Sequence, residues 1–485
     1  MQDRLSPRDV VFLTEEATTT PRHNATLEIF EPGPDGFSYD DAVALITDRI
    51  GFVPRYRQRV QIVPGRIANP VWVDDGRFDI EFHVRRSAVP RPGTMDQVRE
   101  LAARIVSRPL DRDKPLWEVY LVEGIEGGRV ALLTKAHNAL VDGIHTVDLG
   151  QLLLDENPKA RSLGDDDPWG PGRTPSAVKL FGQAVKETVT DPETLTGTLR
   201  TARRAALRQS GKAVAAVGDA VAAIAGGRQA APGPLGGTLS QQRRLVTLET
   251  SLSDYRAIRS AHGGTVNDVI LAVIASGLRG WLMTRAESLV GLRSIRAVVP
   301  ISVIDEDSLR TSLGSQIAAH FVDLPVGEAS PVVRLHQVSY SFESHRESGR
   351  SVAASRLANI AGFAPATFHA VGARVASAEV RTGYGVSIVN VPGPQGPLYA
   401  MGARMVATYP IHPLVPGHAL SVGATSYDGK VFLGITADRD LIWDADVLGQ
   451  CIEESLDELL DTATGARQVA PRGRKQAART TPPGV

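Results

Sequence analysis

The chemistry of this chain is expected at the stretch His137-Asn138-Ala139-Leu140-Val141-Asp142-Gly143, which a second histidine, His145, follows closely. Histidine is the usual general base of enzymes because its ordinary pKa lies near neutrality. The amide of Asn138 cannot take up a proton at neutral pH, but it can hold a hydroxyl or a carbonyl oxygen by hydrogen bonds. The stretch therefore combines groups that can position a substrate with groups that can accept its proton.

This stretch joins two predicted elements. The residues VALLTKAH, which end at His137, indicate a strand, and Gly143 to Leu154 indicate a helix. Turns at strand ends are common places for small-molecule sites. Asp142 stands where a helix N-cap is expected, so its carboxylate can accept free backbone amides and need do nothing else. Gly143 lets substrate or neighbouring backbone approach closely, or merely relieves crowding at the turn.

Side chains alternate along a strand, and this separates the two adjacent polar residues. His137 is expected on the face of Leu133, while Asn138 points to the opposite face with Leu132 and Thr134. His137 would need a local twist to reach the place of Asn138. Its alternative role is that of a structural histidine bonded to backbone.

The stretch and its surroundings resemble the bacterial wax ester synthase/diacylglycerol acyltransferase family. That family carries a His-His-x-x-x-Asp-Gly signature after a strand, with a Pro-Leu-Trp-Glu element upstream. The other matching segments, which span roughly residues 5 to 440 in the family's order, are Leu5-Ser6-Pro7 with Asp9, Ser107 to Asp111, Pro115-Leu116-Trp117-Glu118, Asn267-Asp268, Pro300 to Ser302, Asn390 to Pro394, and Tyr427-Asp428-Gly429.

The resemblance implies an α/β fold with two chloramphenicol acetyltransferase-like domains and an active-site channel between them. It also implies transfer of a fatty acyl group from acyl-CoA to diacylglycerol or a long-chain alcohol, as in triacylglycerol or wax ester synthesis. The second histidine of the family signature is the general base, and the aspartate, here Asp142, holds local structure. Acyl-CoA is a substrate, and no cofactor, metal or covalent intermediate is required.

The chain departs from the family pattern at the base, because Asn138 aligns with the second histidine. A general base contributes about 10²- to 10⁴-fold in rate, so the family's usual activity should be weak unless another base substitutes. His137 is one candidate. His145, in the first turn of the predicted helix, is the other, because a helix N-terminus favours neutral imidazole. Surface or packing roles are the alternatives for His145.

Asn267 and Asp268 open an apolar helix after Gly263-Gly264-Thr265. By the resemblance they close the substrate channel opposite Asn138 and bind substrate together with Gly143. They can equally cap the helix. The sequence leaves these two readings open.

The composition excludes several classes of protein. Lys+Arg 53 against Asp+Glu 54 gives a net charge of -1, so no global field draws the chain toward nucleic acid. The single cysteine, Cys451, excludes disulfide frameworks and cysteine metal clusters. The start lacks a signal-peptide pattern, and no apolar run approaches the roughly 20 residues of a spanning helix. We expect a cytoplasmic protein that can rest on membrane or lipid-droplet surfaces.

The organisation along the chain predicts two domains. Residues 1–157 form an N-terminal acyltransferase domain, 158–243 a connector, 244–462 a C-terminal acyltransferase-like domain, and 463–485 a disordered basic tail. The connector carries a basic, amphipathic stretch that can meet anionic lipid or CoA phosphates, or be a solvated linker helix. Its cations are Arg200, Arg203, Arg204, Arg208 and Lys212.

Two other functions remain open. One is a catalytically degenerate paralogue that binds acyl-CoA or lipid, or regulates an active relative. The other is a peptide-forming condensation domain, a class that shares the His-His-x-x-x-Asp-Gly signature. Against it, the chain carries no recognisable carrier or adenylation module. No phosphate-loop, nucleophile-elbow or zincin motif is present, so NTPase, serine hydrolase and zinc protease functions lack support.

Overall fold

The computed structural model describes residues 3–33, 36–141, 149–159, 175–190, 233, 235–287, 289–302, 317–347 and 384–465. Elements are numbered in chain order within these ranges. The helices are α1 Pro7–Glu15, α2 Tyr39–Ile50, α3 Ile80–His83, α4 Met95–Val106, α5 Asn138–Val141, α6 Leu149–Leu153, α7 Ala177–Thr190, α8 Leu252–His262, α9 Val266–Thr284, α10 Pro331–Glu347 and α11 Ala445–Thr464. Three short 3-10 turns, Pro54–Arg57, Pro64–Arg66 and Glu126–Gly128, connect elements of the first half.

The strands form two six-stranded sheets and two small ribbons. They are β1 His23–Glu31, β2 Gln58–Gln61, β3 Val71–Asp74, β4 Val84–Ala88, β5 Trp117–Glu123, β6 Val130–His137, β7 Gly236–Gly237, β8 Arg243–Ser251, β9 Ile295–Ser302, β10 Ile317–Leu324, β11 Val386–Pro392, β12 Tyr399–Ala400, β13 Ala403–Ile411, β14 Gly417–His418, β15 Leu420–Tyr427 and β16 Lys430–Asp438.

The first sheet has the strand order β12-β13-β1-β6-β5-β4. β1 lies at its centre, antiparallel to both β6 and β13, and β4 pairs parallel with β5. The register places His23 opposite His137, so the residues that begin β1 lie beside the predicted site at the end of β6. β12 and β13 come from the C-terminal half of the chain. Segments far apart in sequence therefore build one sheet.

The second sheet has the order β10-β9-β11-β15-β16-β8. β11 pairs parallel with both β9 and β15, and the other pairs are antiparallel. One face of this sheet packs under helices α8, α9 and α11 in a single apolar cluster. Both sheets mix parallel and antiparallel strands with covering helices, so the predicted α/β class is confirmed.

In the part of the chain that the structure describes, one helix, α9, is long and apolar enough to cross a membrane by length and composition. The sequence-based expectation that no segment reaches this length was too strict. Most of α9 is buried inside the protein, where Ile274, Leu278 and Trp281 are fully covered. Its apolar surface is thus used for packing in the second core.

The two sheets meet where β13 lies against β15 and β16. The backbones approach closely at Gly434, since a Cβ atom there would overlap the carbonyl oxygen of Pro410. α4, which covers the first sheet, also lies against β8 of the second. The sheets do not follow the predicted domain boundaries everywhere. Residues 399–411, with β12 and β13, fall within 244–462 but cross over and pair in the first sheet.

The strand predicted for VALLTKAH is β6. Of the helix predicted from Gly143 to Leu154, residues 149–154 are described, and 149–153 form α6. The apolar spacing from Met95 to Val106 predicts an amphipathic helix, and α4 has the same bounds. The pattern from Arg55 to Pro64 predicts a longer strand than β2, because Pro54 starts a 3-10 turn and leaves only Gln58–Gln61. The predicted turn after His137 contains one helical turn, α5. The basic cluster of the connector lies outside the described residues, and so does the predicted C-terminal tail except residues 463–465, where α11 ends.

Candidate active site

Asn138 is held at the junction of β6 and α5. Its backbone N–H donates to the carbonyl oxygen of Arg22 at 2.9 Å, and the N–H of His137 donates to Leu116 at 3.0 Å. These bonds fix the chain on both sides of the strand end. The side chains of His137 and Asn138 are both fully buried. Any chemistry here therefore takes place away from bulk water.

Asn138 is one end of a buried hydrogen-bond chain that also contains Asn24 and His412. Nδ2 of Asn24 donates to Oδ1 of Asn138 at 2.7 Å, and Oδ1 of Asn24 lies 2.8 Å from Nδ1 of His412. All three side chains are fully buried. Since an amide oxygen can only accept, Nδ1 of His412 is the donor in that bond. We call this the His412–Asn24–Asn138 chain.

Asn138, the last residue of the His412–Asn24–Asn138 chain, has a second polar side-chain atom. Nδ2 of Asn138 is buried and has no hydrogen-bond partner among the described residues. A buried amide donor without a partner costs about 1–3 kcal/mol. Such a group in a candidate site is a natural donor to a ligand oxygen.

His137 points away from this chain, as the alternation along β6 predicts. Its Nδ1 accepts the backbone N–H of Ala139 at 3.0 Å, so the imidazole caps the start of α5. Its Nε2 lies 3.7 Å from Oε2 of Glu16, an ion-pair distance too long for a direct hydrogen bond. The lone pair of Nδ1 is thus already occupied. The geometry fits the structural role that the sequence left open.

Glu16 is a buried carboxylate with several partners. Burial by itself opposes ionisation, but His137, the backbone of Arg22 and the guanidinium of Arg112 outweigh it and hold the pKa of Glu16 well below its usual range. Arg112 donates to Oε2 at 2.7 Å, and the N–H of Arg22 donates to Oε1 at 3.0 Å. Glu16 therefore stays charged and lies at ion-pair distance from His137.

Two further buried polar residues share the face of His137. Nε2 of His23 lies 3.0 Å from the carbonyl oxygen of Val106, and Nζ of Lys135 donates to the carbonyl oxygen of Arg108 at 2.8 Å. Burial, together with the positive charge of Lys135, holds the pKa of His23 well below its ordinary value. His23 is neutral at physiological pH. These contacts tie the sheet to the end of α4.

The remaining predicted site residues divide into two groups. Asp142, Gly143 and His145 lie outside the described residues. Asn267 accepts the Nδ2 donor of Asn390 at 2.8 Å. Asp268 closes a capping box with Thr265 at the start of α9. The contacts described for Asn267 and Asp268 lie within the C-terminal half, and none of them joins Asn138.

Two openings lie near the ends of β1. A small cavity beside His412 is lined by His23, Arg243 and Thr436, among others, so both sheets contribute to it. A cleft of about 540 Å³ lies at the far end of β1, beside Ile29 and Glu31. Glu31 is seven residues from Asn24, or roughly 23 Å along an extended strand. The larger cleft is therefore distant from Asn138.

Sequence reasoning missed Asn24 and His412. Neither belongs to the segments that carry the family resemblance. A weak signal for Asn24 is present, because the alternation along β1 places it on the face of Thr26, away from apolar Leu27. His412 follows β13 and comes to the site only through the crossover of that strand, which no local pattern announces.

Two family models match the chain. The wax ester synthase/diacylglycerol acyltransferase catalytic domain matches residues 5–270, and the WS/DGAT C-terminal domain matches residues 313–460. A probable diacylglycerol O-acyltransferase of Mycobacterium tuberculosis (tgs3) is 38% identical over 54% of this chain and 97% of its own length. A second one from that organism (tgs1) is 30% identical over 97% of this chain and 98% of its own length.

Solved structures agree with this. The wax ester synthase/diacylglycerol acyltransferase from Marinobacter aquaeolei superposes with a TM-score of 0.65 at 26% identity, over 95% of this chain and 100% of that one. The first condensation domain of the calcium-dependent antibiotic synthetase has a TM-score of 0.54 at 12% identity, over 96% of this chain and 97% of that one, which shows a shared fold only. The sequence matches across both halves show that the chain belongs to the wax ester synthase/diacylglycerol acyltransferase family.

Proposed function

We propose that this chain transfers a fatty acyl group from acyl-CoA to the hydroxyl of diacylglycerol or of a long-chain alcohol. Relatives named diacylglycerol O-acyltransferase or wax ester synthase match this chain over nearly their whole lengths. The chain is an acyltransferase of that class. The products are triacylglycerol and wax ester. Acyl-CoA and the acceptor lipid are both substrates, and the reaction needs no further cofactor.

The reaction forms one bond and breaks another. The acceptor oxygen attacks the thioester carbonyl, the new C–O bond forms, the C–S bond breaks, and CoA leaves as the thiolate. The hydroxyl proton must be removed during the attack, and charge develops on the carbonyl oxygen. The enzyme therefore needs a proton acceptor and a hydrogen-bond donor.

Asn138 can serve as the donor and cannot serve as the acceptor. In the family signature this position is the histidine base. Its replacement by asparagine removes proton abstraction but keeps an N–H group, and Nδ2 of Asn138 has no other partner among the described residues. This donor is the observation that carries our proposal. It would hold the thioester carbonyl and stabilise the charge that develops there.

His137 is a poor replacement for the base, because Nδ1 already accepts the amide of Ala139 and Nε2 lies toward Glu16. His145 remains the candidate for a relocated base. Without any base, turnover should fall about 10²- to 10⁴-fold below that of relatives with the histidine.

A second candidate function follows from the same geometry. If no group near Asn138 accepts the proton, the protein is a non-catalytic paralogue that binds acyl-CoA or lipid, or that assists an active relative. The amide at position 138 and the engaged lone pair of His137 favour this alternative.

The test is a turnover assay with palmitoyl-CoA and either dioleoylglycerol or hexadecanol. It compares the parent protein with Asn138→His, His137→Ala and His145→Ala. Detectable ester formation supports the enzyme. Binding of palmitoyl-CoA without turnover on either alcohol supports the paralogue and contradicts the first proposal. If His145→Ala leaves parental activity unchanged, the relocated base is excluded.

We also propose that the protein is cytoplasmic and binds membrane or lipid-droplet surfaces peripherally. Its substrates are lipids, and α7, within the connector, exposes the apolar side chains of Val178 and Phe181. The basic stretch within residues 195–228 would add attraction to anionic lipid. Flotation with anionic liposomes, with and without those residues, tests this. Equal flotation of both forms would remove the role of the stretch.

A further inference from the structure

The His412–Asn24–Asn138 chain has a direction. Oδ1 of Asn24 faces Nδ1 of His412, so the amide of Asn24 must present Nδ2 on its other side. That Nδ2 faces Oδ1 of Asn138, so Asn138 in turn presents its own Nδ2. Each residue donates toward the next, and the last donor is the one without a partner among the described residues.

We propose that His412 and Asn24 are positioning residues, which orient the amide of Asn138 so that its Nδ2 donor, and not its oxygen, meets the thioester carbonyl of acyl-CoA. This inference rests on the proposed function and adds two residues to its machinery. One of them comes from the crossover segment after β13, so the C-terminal half of the chain sets the chemistry of a residue in the N-terminal half.

The orientation matters because an asparagine amide is almost symmetric in shape and opposite in polarity at its two ends. A turned amide would place a carbonyl oxygen against the oxyanion and repel it. Burial strengthens this effect, because all three side chains are excluded from water and the bonds between them are weakly screened. The two hydrogen bonds, 2.7 and 2.8 Å long, hold the chosen orientation.

Among the described contacts, Oδ1 of Asn138 accepts from Nδ2 of Asn24 and from no other donor. The next pair along the same face, Thr26 and Thr134, bond to each other through their hydroxyls at 2.5 Å. On the other face of the sheet, His137 is engaged with Ala139. Among the described residues, Asn24 is thus the side chain that determines which way Asn138 points.

The test reverses the polarity of the chain without changing its shape. Asn24→Asp replaces the Nδ2 donor by an acceptor, so the amide of Asn138 must turn and donate to the new carboxylate. His412→Asn keeps an N–H donor near the position of Nδ1, whereas His412→Leu removes it. His336→Leu, an exposed histidine outside the site, is the control. Melting temperatures check that each variant is folded.

Two readouts separate this inference from the proposed function. The first is kcat and KM with palmitoyl-CoA and hexadecanol. The second is the infrared carbonyl stretch of bound palmitoyl-CoA, isotopically labelled at the thioester carbonyl, which shifts to lower frequency when the oxygen accepts a hydrogen bond. Turnover of the parent tests the proposed function, and the shift tests the orientation of Asn138 even where turnover is absent.

We expect Asn24→Asp and His412→Leu to lower kcat about 10- to 100-fold with little change in KM, as removal of an oxyanion donor does. Both should lose the carbonyl shift. The conservative His412→Asn should recover the shift relative to His412→Leu, and the control His336→Leu should leave turnover and shift as in the parent. The inference is overturned if folded Asn24→Asp keeps the parental shift, or if the parent shows no shift at all. It is also overturned if His412→Asn and His412→Leu lose the shift equally.

Discussion

Nδ2 of Asn24 donates to Oδ1 of Asn138 across 2.7 Å, although the two residues are 114 positions apart in the chain. Antiparallel pairing of β1 with β6 brings them together, and His412 joins them after β13 crosses into the same sheet. The candidate active site is therefore assembled at the centre of the first sheet from three separate segments.

The first prediction concerns restoration of the base. Asn138→His introduces an imidazole, but Nδ2 of Asn24 would donate to one ring nitrogen and leave the proton on the other. In combination with Asn24→Asp, the new carboxylate accepts the N–H of the nearer ring nitrogen. The other ring nitrogen then carries a lone pair and can act as the base. We expect the double variant to exceed Asn138→His in kcat/KM, although Asn24→Asp alone is harmful.

Steady-state assays with palmitoyl-CoA and hexadecanol measure kcat/KM of the parent, the two single variants and the double variant. The kcat/KM of the double variant should exceed that of the parent by about 10²-fold or more. Asn138→Ala with Asn24→Asp is the matched control, because it carries the carboxylate without the imidazole. A double variant no faster than Asn138→His would contradict the proposed direction of the chain.

The second prediction concerns His137. Because His137→Asn retains an acceptor for the N–H of Ala139, we expect it to lower the free energy of unfolding by only about 1 kcal/mol. It should not produce the loss of about 10²-fold or more in kcat that removal of a general base produces. Urea unfolding and the turnover assay measure the two effects. A large loss of kcat in a stably folded His137→Asn variant would assign the base to His137.

The third prediction concerns Glu28, whose two carboxylate oxygens are buried without hydrogen-bond partners among the described residues. Burial raises the pKa of Glu28 to about 8 from 4.5. The folded state therefore binds a proton that the unfolded state releases. Stability is fully present below the unfolded pKa and is lost as the pH rises toward about 8, by up to about 1.4 kcal/mol per pH unit.

Glu28→Gln should remove this part of the pH dependence and make the protein more stable than the parent near pH 8. Urea unfolding between about pH 5 and pH 8 measures the slope. Glu31→Gln, at the exposed end of the same strand, is the matched control. Equal slopes for the parent and Glu28→Gln would show that Glu28 is not buried as described.

The fourth prediction concerns the contact between the sheets. Gly434→Ala places a methyl group against the backbone carbonyl of Pro410, so the sheets must move apart. We expect a loss of about 1–3 kcal/mol, typical of overpacking. Gly396→Ala is the control, because a Cβ at Gly396 meets no atom within 4 Å. Thermal unfolding compares the two, and equal melting temperatures would contradict the close approach.

The sequence by itself determined the family, the α/β class and the position of the central motif. These depend on local information: ordered motifs, the alternation of β6 and the apolar period of α4 can all be read within a few residues. Alternation also predicted that His137 and Asn138 face opposite ways, and the contacts of both side chains agree with it.

The side-chain partners of Asn138 were decided by the tertiary structure alone. Asn24 and His412 meet Asn138 because strand register and the crossover of β13 superpose distant segments, and no short-range pattern encodes either. The same holds for Asn267, which accepts a hydrogen bond from Asn390, 123 positions further along the chain. A hydrogen bond depends on a distance of about 3 Å, and only the packed chain fixes distances between remote residues.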